Sequence, residues 1–141
     1  MGTNQDSATS AVIDASVVVR AYAYGDPEAS AWLGRLAAGE FRPAWPSSLY
    51  PEVANAVLTL ARAARIERAL AEAVVAQTLR MHADVLPVEE AVADALAVAF
   101  ERGLTVYDAV YVVLAEVLDA PLVTADRRLA EATEQGLLLA G

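Results

Sequence analysis

Short β-branched or apolar runs recur along this chain, each followed by longer stretches whose apolar residues keep helical spacing. The first run, Ala11-Val12-Ile13, ends in Asp14. Ser16 to Tyr24 then reads as a helix that stops near Gly25. Asp26-Pro27-Glu28 is a helix start, with Asp as N-cap and Pro in the first turn, and the helix it opens runs to about Ala38 before Gly39 closes it. Phe41 to Trp45 predicts a short strand, and the bracketing Pro43 and Pro46 suggest an edge or a cramped position. Ser47 or Ser48 is expected to cap a helix to about Ala64, whose stripe is Leu49, Val53, Ala56, Val57 and Leu60. A second long helix covers Ile66 to about His82, and Val85 to Val88 is a further strand. Glu89-Glu90 suit the N-terminus of the next helix, which ends at Gly103. Thr105 caps a helix through Val117, Leu122 to Thr124 is a strand, Asp126 opens a short helix to about Glu134, and Leu137 to Leu139 forms a last strand.

Strands alternating with helices imply an α/β fold, a parallel sheet with helices on both faces. Met1 to Ser10 are polar, small and without period, so residues 1–10 are expected to be a disordered leader and residues 11–141 a single domain. The longest unbroken apolar run, Ala109 to Ala115, falls short of the ~18–20 residues of a membrane span. No basic-then-apolar export signal stands at the N-terminus, and with no cysteine there is neither a disulfide framework nor a thiolate metal site. These features predict a soluble, cytoplasmic protein without membrane association.

Charge changes the picture. All ten basic residues are Arg, against nineteen acids, for a formal net charge of −9. That balance argues against tight passive binding of nucleic acid, which needs a basic stripe. An acidic enzyme can still act on a polyanion if metal ions supply local positive charge.

Four acids sit at the punctuation points of the pattern: Asp14 after the first strand, Glu52 early in the helix after the second, Asp108 in the first turn of its helix, and Asp126 just beyond Thr124. In open α/β sheets, ligands bind beyond the carboxyl ends of the strands, and this arrangement can bring all four acids to that edge. Each has an ordinary alternative. Asp14 and Asp126 read equally as N-caps, and Glu52 as a solvated residue favoured by the helix dipole. Asp108 lies in a helix apolar nearly all round and is expected to be buried, where an unpaired carboxylate needs a partner or a metal. Glu52 shares the side of its helix with Leu49 and Ala56. Clustered carboxylates without His or Lys would repel strongly, and an all-oxygen set selects Mg²⁺ or Mn²⁺ over zinc.

Other chemistries fall away. His82 is the only histidine and falls late in a helix, so with no second His and no Cys the sequence argues against a zinc site, and Ser16 has no His partner nearby. Neither a P-loop nor a dinucleotide-binding glycine string is present. Tyr22, Tyr24, Trp32, Trp45, Tyr107 and Tyr111 read mostly as core or interface material.

Val12-Ile13-Asp14-Ala15-Ser16-Val17 resembles the opening strand of PIN-domain ribonucleases. Pro43-Ala44-Trp45-Pro46 through Leu49, with Glu52-Val53-Ala54-Asn55-Ala56, resembles their second acidic motif. Leu104 through Tyr111, followed by Leu122-Val123-Thr124-Ala125-Asp126-Arg127-Arg128-Leu129, is similar to their C-terminal signature. The likeness covers about Ala11 to Glu134, with all four acids present and in order, and the short single-domain form looks like the VapC toxins of VapBC toxin–antitoxin systems. It implies a three-layer α/β/α PIN-like fold around a central parallel sheet and an Mg²⁺-dependent endoribonuclease, usually a homodimer. It also implies a VapB-like antitoxin that blocks the site, with DNA reached only through that antitoxin. By the same likeness Asp14, Glu52, Asp108 and Asp126 take the catalytic and metal-binding positions, with Asp14 and Asp108 as direct ligands, and Ser16 and Thr124 take supporting hydroxyl positions. Two departures mark the chain. Asp119 stands where relatives often have Gly, and the lack of Lys leaves Arg20, Arg127 and Arg128 to guide RNA phosphates.

Two alternatives come from other classes. A PIN fold without catalysis would bind a partner and show no metal-dependent cleavage. An acidic phosphoacceptor or phosphohydrolase would want a second Asp two residues after the first and a Lys; position 16 is Ser and Lys is absent.

Overall fold

The computed structural model describes residues 9–140. Residues 1–8 of the expected leader lie outside the described residues, while Ser10, placed in the leader from sequence, already belongs to the first strand. The elements are β1 (Ser10–Ile13), α1 (Ala15–Tyr24), α2 (Pro27–Ala37), β2 (Arg42–Pro46), α3 (Leu49–Arg62), α4 (Arg68–Arg80), β3 (Asp84–Leu86), a 3₁₀ turn (Val88–Glu90), α5 (Val92–Arg102), α6 (Val106–Leu118), β4 (Leu122–Thr124), α7 (Arg127–Glu131) and β5 (Gly136–Leu138).

The five strands form one sheet in the order β3-β2-β1-β4-β5, with every pairing parallel. Helices join every consecutive pair of strands and cover the sheet, as the expected three-layer α/β/α architecture requires. Chain order runs outward from β1 through β2 to β3 on one side and from β4 to β5 on the other. The sheet therefore has its switch point between β1 and β4, where parallel sheets open a crevice beyond their strand ends.

Both strands at that crevice are buried apolar runs, Ala11-Val12-Ile13 and Leu122-Val123, as expected for strands covered on two faces. The main core joins them to Trp45, Leu49 and Val53 on one flank and to Tyr111, Val112 and Ala115 of α6 on the other. A smaller apolar cluster, Ala91, Ala95, Ala109, Val110 and Val113, seals α5 against α6.

Strand β2 is not the edge that its prolines suggested. The Arg42 N–H bonds Thr9 on the β1 side, and the Ser47 N–H bonds Leu86 on the β3 side. Alternation then points the Pro46 nitrogen toward β1 and the Pro43 nitrogen toward β3. The last β1 pair is Val12 with Ala44, and the first β3 pair is Asp84 with Ala44, so each proline faces a neighbour just beyond where pairing stops. No ladder bond is lost at either proline.

Capping follows the sequence in part. Asp26 accepts from the Ala29 N–H at 2.9 Å, and Thr105 accepts from the Asp108 N–H at 3.1 Å. Neither serine caps α3: Ser48 occupies the N-cap without a side-chain bond, and Ser47 Oγ instead accepts from the Val88 N–H, tying the end of β2 to the 3₁₀ turn. Asp119 adopts φ 49 at the end of α6, the left-handed conformation that glycine ordinarily supplies, and Gln135 Nε2 donates to its Oδ1 at 2.9 Å. The turn needs that conformation, and the short Asp side chain tolerates it.

Candidate active site

Asp14 leaves the end of β1 at the switch point and occupies the N-cap position of α1, yet its carboxylate caps nothing. Ser16 Oγ donates to Asp14 Oδ2 at 2.6 Å, and Thr124 Oγ1 donates to the same oxygen at 2.7 Å. Ser16 Oγ in turn accepts from the Ala125 N–H, and Thr124 Oγ1 from the Asp126 N–H, each at 3.0 Å. Both hydroxyl protons are thereby committed to Asp14, and the β4–α7 turn is fastened to the start of α1. Burial pushes the Asp14 carboxyl up, while these hydroxyls and the Ala15 and Ser16 N–H groups offset it in part.

Glu52 reaches the same place from the first turn of α3. Tyr111, fully buried in α6, donates from its hydroxyl to Glu52 Oε1 at 3.1 Å, while Glu52 Oε2 is buried with no hydrogen-bond partner. Burial, together with the charges of Asp14 and Asp108, pushes the Glu52 carboxyl up to about 7, although the Ser48 and Tyr111 hydroxyls act against the shift. The Ser48 hydroxyl closes no well-formed bond with it: Ser48 Oγ is the other buried side-chain atom without a partner.

Asp108 is half-buried rather than enclosed. The first turn of α6 extends past its packed portion, so Tyr107 is 70% exposed and full burial begins at Ala109. Tyr24, also read as core or interface, is likewise exposed. Burial and the charges of Asp14 and Asp126 raise the Asp108 pKa, against the Thr105 hydroxyl and the Arg128 guanidinium. Asp126 is exposed and performs the ordinary task weighed for it: its Oδ1 accepts from the N–H groups of Arg128 at 2.9 Å and Leu129 at 3.4 Å, capping α7.

Asp14, Ser16, Arg20, Glu52 and Asp126 line one open cleft of about 360 Å³ beyond β1 and β4, and Asp108 is near enough to Asp14 and Glu52 to perturb and be perturbed. The other two arginines differ from Arg20. Arg127 turns to Glu131 at 3.8 Å, and Arg128 donates to the Gly103 carbonyl while standing near Asp108. Two larger depressions lie elsewhere: about 590 Å³ between α3 and α4, largely apolar, and about 550 Å³ around Arg102. The latter holds acids, but Arg102 already pairs with Glu116 at 2.7 Å. At the first cleft, by contrast, none of Asp14, Glu52 and Asp126 makes an ion pair among the described residues.

The donor chemistry there fits a hard dication. Burial raises all three carboxyl pKa values, the Asp14 charge raises those of Glu52 and Asp108 further, no Lys is present in the chain to neutralise them, and the Glu52 Oε2 atom is buried without a well-formed hydrogen bond. Spacing is looser than donor type. Among the described residues, no three His, Asp or Glu side chains stand close enough to close on a single ion as they lie.

Tyr111, expected from sequence as core or interface material, is core, and its hydroxyl also bonds the acidic cluster, which the sequence reading did not foresee. Its signal was present: three residues after Asp108, it shares that helix side.

Comparison with known proteins shows the family and the fold. The PIN domain family profile matches residues 11–135. A stretch of 42 residues is 55% identical to Ribonuclease VapC3 of Pyrobaculum aerophilum, covering 30% of this chain and 32% of that protein, so the match spans about a third of the relative's length. The fold matches the crystal structure of PAE2754 from Pyrobaculum aerophilum with a TM-score of 0.69 and 32% identity, over 91% of this chain and 82% of that one.

Proposed function

This chain belongs to the PIN-domain family, and from that premise we propose that it is a metal-dependent endoribonuclease of the VapC kind, hydrolysing RNA phosphodiesters. The observation that carries the reading is the set of mutually repelling carboxylates, Asp14, Glu52 and Asp108, at the switch-point crevice. The partial likeness to Ribonuclease VapC3 supports RNA as the substrate class.

Asp14, Glu52 and Asp108 would hold Mg²⁺ or Mn²⁺, with Asp126 at the rim. When bound, such an ion polarises the scissile phosphate and lowers the pKa of a water. The protein's own residues do the rest. Ser16 and Thr124 keep the Asp14 oxygens in one orientation through four hydrogen bonds. Asp126, whose cap bonds both fall on Oδ1, presents Oδ2 to take the proton of the attacking water. Water attacks phosphorus, the bond to the leaving ribose oxygen breaks, and that oxygen takes a proton from solvent while Asp126 returns its own to solvent. Arg20 in the cleft, and Arg128 beside Asp108, attract the phosphate backbone, while the remaining acidic surface repels RNA held elsewhere.

By the same family reading, the protein acts in the cytoplasm as a homodimer restrained by a VapB-like antitoxin. Among the described residues no helix is long and apolar enough to cross a membrane. Incubation with total RNA, with Mg²⁺ and then with excess chelator, tests the proposal. Cleavage that appears with the ion and stops with the chelator is expected; intact RNA alongside retained partner binding would favour the non-catalytic PIN module.

A further inference from the structure

We propose that Tyr111 is a positioning residue for the acidic cluster: by holding Glu52 Oε1 it fixes Oε2 as the oxygen that meets a cation in the cleft. The inference rests on the metal-dependent reading above and adds a residue to it. Tyr111 has none of its surface exposed, and its ring is packed in the main core, so the hydroxyl has a set position. That hydroxyl donates to Glu52 Oε1 at 3.1 Å, across 59 residues of sequence and from a different helix. The opposite oxygen, Oε2, is shielded from solvent and closes no well-formed hydrogen bond, the Ser48 hydroxyl acting on the carboxylate without pairing to it, an arrangement costly to keep unless something else answers it. A glutamate with both oxygens free would rotate about its last torsion, which is broad for carboxylates, and share its charge between two directions. One fixed donor removes that freedom.

A purely structural tyrosine would fill the same volume without acting through Glu52, and Tyr111→Phe separates the two because it keeps the ring and removes only the oxygen. Mn²⁺ affinity by titration calorimetry is expected to weaken at least about threefold, and kcat for RNA cleavage to fall about tenfold with KM within twofold. Introduced into a Glu52→Ala background, the same change should alter neither quantity further, because its target is gone. Unchanged Mn²⁺ affinity in Tyr111→Phe, or losses that add fully in the double variant, would overturn the inference while leaving the nuclease reading intact. A parent chain that neither takes up Mn²⁺ nor cleaves RNA overturns both. Should Tyr111→Phe not fold, the parent still answers the question: the ¹³Cζ resonance of Tyr111 should move on Mg²⁺ titration, and a stationary resonance rejects the role.

Discussion

Thr124 Oγ1 lies 2.7 Å from Asp14 Oδ2, joining the ends of two neighbouring parallel strands whose residues are 110 positions apart in the chain. The hydroxyl is used twice, donating to the carboxylate and accepting from the Asp126 N–H. Replacing it with an isosteric valine leaves the Asp126 N–H without this acceptor and the buried Asp14 Oδ2 with the Ser16 hydroxyl alone. Thr124→Val should cost about 1–3 kcal/mol of stability by urea denaturation, and cleavage should fall because Asp14 loses one of the two donors that orient it.

Charge in this cleft opposes folding. Asp14 and Asp108 carry pKa values raised chiefly by burial, and removing either charge while keeping its shape relieves that cost. Asp14→Asn and Asp108→Asn are therefore expected to melt at the parent's temperature or a few degrees higher, yet to lose at least ~100-fold in RNA cleavage. An active Asp108→Asn protein would remove Asp108 from the site.

The same charges set the pH response of the ion-free protein. An acid whose folded pKa exceeds its unfolded value binds its proton more tightly in the folded state. Glu52 moves from 4.5 to about 7 on folding, so between those values the folded chain holds the extra proton and stability falls as pH rises. Asp14 and Asp108 act in the same direction. Glu52 is only partly buried, and after allowance for solvent screening its share is about 1–2 kcal/mol. Chemical denaturation in chelator should show greater stability near pH 5 than near pH 7.5, and Glu52→Gln should flatten the slope. Saturating Mn²⁺ should restore the loss at the higher pH, by about 2.7 kcal/mol at a hundredfold excess over its dissociation constant.

How far the sequence reveals this arrangement depends on whether the deciding contact is local. Caps at Asp26, Thr105 and Asp126 follow from neighbours within a turn, and the structure has all three. The alternation of apolar runs with helical stretches likewise leads to the parallel sheet. Asp14 and Asp126 have the same local signature, an acid at a strand end before a helix, yet one caps and the other does not. What separates them is the hydroxyl pair on Asp14 Oδ2, Ser16 from its own helix and Thr124 from 110 positions away, which the sequence near Asp14 only half contains. Strand β2 escaped for a related reason, since Pro43 and Pro46 argue for an edge until the register shows where β1 and β3 stop. Tyr111 resembles any core aromatic until Glu52, on another helix, is placed against its hydroxyl.

Gly136 tests whether the outer strand supports the site. A Cβ built at Gly136 would stand 1.9 Å from the Ala130 carbonyl oxygen, closer than any side chain can come to backbone, so β5 can follow α7 this tightly only with glycine there. Gly136 opens β5 opposite Leu122, and the same strand ends with Leu138 opposite Thr124 and the Leu139 N–H bonded to the Thr124 carbonyl at 2.8 Å. Pushing Gly136 outward by the ångström or more that a methyl group demands must bend β5 or slide it along β4. Thr124 is the β4 residue whose hydroxyl orients Asp14, so the displacement runs toward the carboxylates. Gly136→Ala should thus cost about 1–3 kcal/mol, as overpacking against fixed backbone does, and should speed amide exchange at Leu139 more than at Val12. Equal protection at both amides, with an unshifted melting temperature, would mean that β5 moves freely and that the site does not depend on it.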